Sequence, residues 1–302
     1  MPTTERSYTA SRFALMLDGV QTGFVKSVEG GGVKAEVIHE ASDSSYFVKK
    51  HIGPPMYEPF TVEIDLSMAA SVYEWIAATW TGKIFRTDGA ITTVDTQFKA
   101  VSEQQFTDAL LTAVTTPTLD GTAKKEVFFA LTFAPEHSVF AKAGGKVAPA
   151  PDKKAQKKWL PSNFRLTIDG LDCTRVMKID SFTVKYTPAA DTIGDARDYL
   201  KEPGKLEFPN LKIKFSASSA QTWRDWFESF VVKGNNDESH EKHGEIVLLA
   251  PDMKPAATIR LFNLGIFKLA DDTSDASAAA VKRLTADLYC ERMEFQHEGK
   301  FA

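Results

Sequence analysis

The strongest constraint on the fold is that one pattern occurs twice in the chain. When Ser11 is placed on Ser162, 25 positions align at a constant separation of 151, and eight of these positions carry the same residue. Agreement at a fixed separation indicates an internal repeat, so the elements of one copy are expected in the other. The identical pairs are Ser11/Ser162, Phe13/Phe164, Leu15/Leu166, Asp18/Asp169, Gly19/Gly170, Val25/Val176, Val33/Val184 and Lys34/Lys185.

Each copy opens with a predicted β-hairpin. Apolar residues alternate with other residues over 13–17 and over 164–168, which is the period of a half-buried strand. Asp-Gly follows both strands, and glycine accepts the positive φ that a tight turn requires. A second alternating strand follows over 33–37 and 182–186. The two copies therefore begin with the same supersecondary unit.

A long polar connection separates this hairpin from the next predicted strand. It covers about 40–58 in the first copy and about 187–207 in the second, and both segments contain proline and glycine. The third strand is predicted over 60–66 and 209–215. The apolar residues of the two third strands are expected to correspond at a separation of 149, as Val62/Leu211, Ile64/Ile213 and Leu66/Phe215.

A short amphipathic helix is predicted next, within 71–80 and 221–231. Apolar side chains recur at helical spacing in both segments and form one stripe. Trp75 and Trp226 lie in these stripes, again at a separation of 151. We expect both tryptophans to be buried and to anchor each helix to its own barrel. Helical spacing favours this interpretation over the alternative, a ligand pocket lined by tryptophan.

Alternating strands close each copy, so the predicted fold class is mainly β (α+β). We expect two tandem domains, 1–140 and 162–302, each a β-barrel or sandwich with one flanking α-helix. The segment between them, 141–161, is rich in Lys, Pro and Ala and carries six lysines against one aspartate, which is typical of a solvated linker. Contact with an acidic neighbour, or with nucleic acid, is the alternative use of these lysines.

Composition limits the remaining classes of protein. The 302 residues are 43% hydrophobic and 25% charged, as in ordinary globular proteins, and the formal net charge is -4. This mild acidity gives no electrostatic reason to bind nucleic acid or an anionic membrane. No apolar run approaches the ~18 residues of a membrane helix, and the N-terminus has no signal-peptide pattern. We expect a protein that assembles in the cytoplasm, away from membranes.

Two segments contain residue types used in binding sites, but not at the required spacing. The run HEKH at 240–243 places two histidines three residues apart, whereas a zinc-protease helix needs HExxH. The run EGGGV at 29–33 precedes a predicted strand, whereas a phosphate-binding loop precedes a helix. We therefore predict no metal site and no cofactor.

The nucleophiles of the chain lack the partners that catalysis needs. Cys173 and Cys290 have no histidine nearby in sequence and are expected to be free thiols in a reducing compartment. Asp18 and Asp169 precede glycine, and turn formation explains both. No G-x-S-x-G elbow occurs. The sequence thus predicts no catalytic residue, no small-molecule substrate and no enzyme.

The repeat resembles the tail-tube proteins of phages and the inner-tube proteins of contractile injection systems. Members of that family open with a strand of the form F-x-V-x-I-D-G, which FALMLDG and FRLTIDG follow here. A hairpin of the form G-F-x-x-V-x-G-L-x-x-E comes next, and its counterparts are GFVKSVEGGGVKAEV and RVMKIDSFTVKY. A long loop, a strand and a helix with a tryptophan complete the plan. The resemblance covers roughly 11–135 and 162–297 and implies two tandem copies in one chain.

The resemblance also implies an assembly. The family fold is a β-barrel of two sheets flanked by a helix, six copies form a ring around a lumen, and rings stack into a tube. In that family the long loop after the second strand reaches adjacent subunits or rings. The assembly-interface residues implied for this chain lie in the two long connections and are Tyr46, Phe47, Tyr57, Asp195, Tyr199 and Leu200.

The tandem arrangement departs from ordinary tube subunits, which have one domain. Three chains can supply six domains to one ring, as an adaptor between three-fold and six-fold parts does, or six chains can build two stacked rings. The resemblance implies a tube, tube-initiator, hub or cap protein that becomes part of a virion or injection particle. Its implied partners are itself and tube, baseplate, sheath or cap proteins, with nucleic acid only as a passenger in the lumen. The alternative is a non-enzymatic, two-domain binding or adaptor module that forms no tube.

Overall fold

The computed structural model describes residues 12–40, 47–148, 159–191, 200–272 and 282–298. Over these residues the protein is mainly β, which confirms the predicted fold class. The first half follows the predicted order of hairpin, connection, strand, helix and closing strands. Its elements are β1 (Arg12–Leu17), β2 (Val20–Val25), β3 (Val28–Gly30), β4 (Val33–Glu40), β5 (Lys49–Tyr57), β6 (Phe60–Ile64), α1 (Ala70–Trp80), β7 (Thr87–Val94), β8 (Ala100–Thr116), β9 (Leu119–Asp120), β10 (Phe129–Ala134) and β11 (His137–Ala141).

The second half repeats the order of connection, strand, helix and closing strands, and its last strand, β21, covers the positions of both β10 and β11. A wider helical turn, Glu228–Val232, extends its helix, and single 3-10 turns cover Ala217–Ser219 and Glu238–His240. Its elements are β12 (Phe164–Ile168), β13 (Val176–Ile179), β14 (Phe182–Tyr186), β15 (Ala189–Asp191), β16 (Leu200–Glu202), β17 (Leu206–Glu207), β18 (Leu211–Ser216), α2 (Gln221–Phe227), β19 (Lys242–Leu249), β20 (Pro255–Asp271) and β21 (Arg283–His297).

The predicted opening hairpin, strand 13–17 with strand 33–37, is wrong in its second strand. The Asp-Gly turn returns the chain directly into Val20–Val25, and Val33–Glu40 pairs with β5 instead. In the second half, β12 pairs only with β19 among the described residues, so the predicted hairpin of 164–168 with 182–186 is wrong as well.

β1 pairs with β2 around a turn in which Asp18 and Gly19 have φ of 48° and 77°. Leu15 and Leu17 are 1% and 4% exposed, so the alternating apolar face is the core face. In the second half, Gly170 takes the same position with φ of 70°. Turn chemistry therefore accounts for the Asp-Gly pairs, as the sequence predicts.

Within the sheet of each half, and apart from the β1–β2 hairpin, the strand pairings of the second half repeat those of the first half position by position. β1 pairs with β7 so that Leu15 lies opposite Ile91, and β12 pairs with β19 so that Leu166 lies opposite Ile246. Equivalent positions of β1 and β12 are thus at a separation of 151, and those of β7 and β19 are at a separation of 155. The additional residues of the second half lie between its helix and β19.

Unusual backbone positions repeat at the same separation. Asp108 and Asn263, at a separation of 155, both adopt a positive φ, of 51° and 54°. Gly89 and Gly244 are related by the same separation, and a Cβ atom on either would lie 2.2 or 2.5 Å from a carbonyl oxygen of the neighbouring strand. A side chain fits at neither position, which explains the glycine in both halves.

The third strands correspond at a separation of 151, so the expected separation of 149 is wrong. Val62 of β6 lies opposite Leu131, and Ile213 of β18 lies opposite Ala286, which is the counterpart of Leu131 at the separation of 155. A shift of two residues keeps the same side chains on the same face of a strand, so alternation alone does not distinguish the two registers. The corrected pairs are Phe60/Leu211, Val62/Ile213 and Ile64/Phe215.

The connections predicted as polar loops are extended β-ribbons. β4 pairs with β5 from Val33 opposite Tyr57 to Glu40 opposite Lys49. The equivalent positions of the second half pair in the same way, β14 with β17 and β15 with β16. Pro55 does not prevent pairing, because an edge strand tolerates the missing amide hydrogen. Residues 41–46 and 192–199, between the ribbon strands, lie outside the described residues.

Buried side chains from both halves form one continuous hydrophobic cluster. Tyr73 of α1 stacks on Phe295 and His297 of β21, with ring centroids 6.2 and 3.8 Å apart. Trp159 is 3% exposed and stacks on Phe129 at 5.9 Å. The end of the lysine-rich segment 141–161 is therefore packed in the core, which corrects the expectation of a solvated linker there. Residues 149–158 of that segment lie outside the described residues.

Candidate assembly interface

The first and second halves meet where β14 of the second half joins the sheet of the first half. We call this contact the inner junction. It comprises the pairing of β14 with β8, the hydrogen bonds of β16 with Arg86 and Glu136, and the packing of β21 against α1. Val184 of β14 lies opposite Val114 of β8, and the hydroxyl oxygens of the neighbouring Thr183 and Thr115 are 2.8 Å apart. The positions that β14 covers are buried, since Val114 and Thr116 are 1% and 0% exposed. The ladder thus adds a strand of the second half to the sheet of the first half.

Two side chains of the first half hold the ribbon of the second half at this junction. Arg86 lies just before β7, and its Nη2 donates to the carbonyl oxygen of Lys201 at 2.7 Å and to Glu202 Oε1 at 3.1 Å. Glu136 lies just before β11, and its Oε1 accepts from the backbone N–H of Lys201 at 2.9 Å and from Arg86 Nε at 3.3 Å. Burial acts to lower the pKa of Arg86, and the two carboxylates more than offset it, so the pKa is raised.

Lys201 reaches from the ribbon into the first half. Its Nζ donates to the carbonyl oxygens of Pro135 and, at 3.3 Å, of Tyr57. Burial lowers the pKa of Lys201, and the charge of Glu136 opposes that shift. A lysine half-buried among carbonyl oxygens and a carboxylate fixes where the ribbon docks, because its ammonium group needs these acceptors once water is removed.

The interface residues named from the family resemblance fall into three groups. Tyr46, Asp195 and Tyr199 lie outside the described residues. Phe47 is 77% exposed beside β5, and Leu200 is 48% exposed at the start of β16. Tyr57 lies at the inner junction, where its ring is tilted against His137 at 5.0 Å and its carbonyl oxygen accepts from Lys201.

Sequence reasoning missed the three charged residues that make most of the polar contacts there. Arg86, Glu136 and Lys201 stand in no recognised motif. The signal that could have found two of them is the repeat itself. Lys201 corresponds to Lys50 at a separation of 151, and Glu136 corresponds to Glu291 at a separation of 155.

The counterparts of the inner junction lie on the outside of the chain. The first-half outer face comprises the β4–β5 ribbon and Phe140 of β11. The second-half outer face comprises Phe267–Asp271 of β20, Val231 after α2, and Glu241 and Glu291. Over Lys268–Asp271, β20 pairs only with β21 among the described residues, whereas the equivalent part of β8 pairs with both β10 and β14.

Exposure changes sharply between equivalent positions of the inner junction and the outer faces. Phe295 is 4% exposed beneath α1, whereas Phe140, its counterpart, is 72% exposed. Thr112 of β8 is 7% exposed, whereas its counterpart Phe267 is 46% exposed. Every residue of β4 is exposed. Exposed apolar side chains along an open strand edge are typical of an interaction surface.

The cysteines and the clustered histidines make structural contacts. Cys173 and Cys290 are free thiols, and burial raises the pKa of each to about 11, so both are protonated at neutral pH. In the HEKH run, His240 pairs with Asp237 at 3.0 Å, and His243 Nδ1 accepts from the backbone N–H of Asn263 at 3.3 Å. Within the described residues, no group of three or more His, Cys, Asp or Glu side chains is placed to hold a metal ion.

Comparison with solved structures finds proteins of contractile injection systems. A chain of the anti-feeding prophage baseplate is 13% identical, with a TM-score of 0.35, and the match covers 44% of this chain and 91% of that chain. A chain of the PVC sheath-tube complex, from an extracellular contractile injection system, is 18% identical, with a TM-score of 0.33 and coverage of 44% and 88%. Hcp1 from Flavobacterium johnsoniae is 15% identical, with a TM-score of 0.28 and coverage of 45% and 98%.

No protein-family model matches the sequence, and no curated protein matches it. Among the described residues, neither α-helix has the length and apolar character that crossing a membrane demands.

Proposed function

We propose that the chain is a structural component of a phage tail or contractile injection system, built from two tandem tube-like domains, 1–140 and 162–302. The observation that carries this proposal is the inner junction, in which β14 of the second half pairs with β8 in the sheet of the first half. The repeated pairings at separations of 151 and 155 support descent of both halves from one unit. The family motifs in both copies support the inference that this unit is a tube-like domain.

The proposed assembly is a ring in which the contact between halves is repeated between chains. A head-to-tail contact closes into a ring when its rotation is right. Strand pairing between the halves favours side-by-side placement in one ring over stacking along an axis, so we favour three chains with six domains. Six chains in two stacked rings is the alternative arrangement. Either ring serves as a tube, tube-initiator, hub or cap, without enzymatic activity.

The partners follow from that role. They are further copies of this chain and tube, baseplate, sheath or cap proteins, with nucleic acid or protein as passengers in the lumen. The particle would assemble in the cytoplasm before it becomes part of a virion or an injection apparatus. The exposed candidates Phe47 and Leu200 stay predictions for contacts within this assembly.

Negative-stain electron microscopy of the purified full chain tests the proposal. We expect ring-shaped particles with six lobes around a central opening, because each chain supplies two similar domains. The control is the same chain in a denaturant concentration just below unfolding, at which weak contacts between chains dissociate first. Monodisperse single chains at high concentration would instead favour the two-domain binding module.

A further inference from the structure

The outer faces carry the same contact positions as the inner junction, but with different charges. At the inner junction, Glu202 of the ribbon meets Arg86. The equivalent ribbon residue in the first half is His51, because Ile38 lies opposite His51 as Ala189 lies opposite Glu202. The equivalent of Arg86 is Glu241. Both directly precede strands, β7 and β19, that pair with their neighbours at equivalent positions.

The second pair of positions has the same charges in both places, with a lysine on the ribbon and a glutamate on the half that receives it. Lys201 contacts Glu136 at the inner junction through its backbone N–H, and its side chain lies nearby. Lys50 takes the place of Lys201 on the first-half ribbon, and Glu291 takes the place of Glu136 on the second half. Lys50 and Glu291 are both exposed in the single chain.

We propose that the second half of one chain binds the first half of the next chain through a charge-exchanged copy of the inner junction, in which Lys50 and His51 lie against Glu291 and Glu241. This inference rests on the proposed function, and its occupant is a second copy of this chain. The open edge of β20 accepts β4 in the register of the inner junction, which places Val33 opposite Leu269. Strand addition of this kind satisfies the unpaired backbone groups of both edges.

Apolar contacts complete the interface. Phe140 takes the place of Phe295, and Val231 takes the place of Trp80, which lies 5.8 Å from the Phe295 ring at the inner junction. Phe140 and Val231 are 72% and 41% exposed, so both lose water contact when the two chains meet. Lys34 and Lys268 face each other in this register, and each has its own carboxylate, Glu58 at 2.9 Å and Asp287 at 3.8 Å.

The exchange of charges makes the two ribbons selective for different halves. A first-half ribbon on a first half would place His51 against Arg86. A second-half ribbon on a second half would place Glu202 against Glu241. Both contacts bring like or unmatched groups together, whereas the alternating order places Lys50 against Glu291 and His51 against Glu241. The charges therefore specify the order first, second, first, second around a ring.

Charge-reversal variants of the full chain test this interface. Lys50→Glu alone and Glu291→Lys alone are each expected to raise the concentration for half-maximal assembly by about ten-fold or more, since a reversed pair becomes repulsive. The double variant Lys50→Glu/Glu291→Lys is expected to recover assembly to within about three-fold of wild type. Native mass spectrometry over a concentration series reports the assembled fraction.

Lys212→Glu provides the matched control, because Lys212 is exposed on β18 and belongs to neither outer face. It is expected to leave assembly unchanged, and circular dichroism should give wild-type melting curves for all variants. A wild type that assembles while both single variants assemble equally well would overturn the interface but leave the proposed function standing. Loss without recovery in the double variant would overturn it as well. A wild type that never assembles would contradict both.

Discussion

Replacing Phe295 by alanine is expected to destabilise the folded chain by about 3–5 kcal/mol, the usual cost of truncating a buried aromatic side chain. Phe295 is 4% exposed and lies 6.2 Å from the Tyr73 ring and 5.8 Å from the Trp80 ring of α1. The truncation leaves a cavity where the second half packs on the first half. Equilibrium urea denaturation, followed by tryptophan fluorescence, measures the change in the free energy of unfolding.

Phe140→Ala is the matched control for this prediction. Phe140 lies at the equivalent position of the first half and is 72% exposed. In the dissociated chain its truncation is expected to change stability by less than about 0.5 kcal/mol. In the assembled protein it should weaken the contact between chains. Equal destabilisation of the dissociated chain by both variants would contradict the assignment of Phe140 to an outer face.

Trp75→Ala is expected to have an effect of the same size, about 3–5 kcal/mol. Trp75 is 1% exposed, its ring lies 5.7 Å from the Phe133 ring, and its Nε1 donates to the carbonyl oxygen of Phe85 at 3.3 Å. The indole thus links α1 to the sheet beneath it. Thermal unfolding of the variant by differential scanning calorimetry measures the loss.

Trp75→Phe separates packing from hydrogen bonding. It keeps an aromatic ring and loses the hydrogen bond, so we expect a loss of about 1 kcal/mol beyond the smaller ring volume. Trp226→Ala should act in the same direction as Trp75→Ala with a smaller effect, because Trp226 is 7% exposed. An unchanged melting temperature in Trp75→Ala would show that the tryptophan does not anchor the helix.

The elements of each half follow directly from sequence patterns. Alternation over 13–17 and 164–168, the Asp-Gly turns and the apolar stripe of α1 are local features, and local rules predict them. The separation of 151 is visible because identical residues mark the turns. These features suffice to predict a mainly β fold with a repeat.

Register and strand pairing in the ribbons were not predictable in the same way. A shift between 149 and 151 preserves alternation, so only the pairing of Val62 with Leu131 and of Ile213 with Ala286 fixes the register. The ribbons contain polar residues and proline, which single-sequence rules assign to loops. Their strands pair with each other, and β14 also pairs with β8.

The candidate interface was partly predictable. The resemblance placed the candidate interface residues in the two long connections. Tyr57 lies at the inner junction, which is a contact within one chain, and its role between chains stays a prediction. Arg86 and Glu136 come from outside those connections, because the receiving surface belongs to the other half of the chain. The arrangement depends on which strand edges meet, and a sequence pattern does not carry that information.

Native mass spectrometry of the wild-type chain at high protein concentration tests whether the contact between the two halves is repeated between chains. We expect a closed species of three chains, in which three inner junctions alternate with three contacts between chains. A closed species of six chains would contradict the single ring of six domains, and a strictly monomeric chain would contradict assembly through the outer faces altogether.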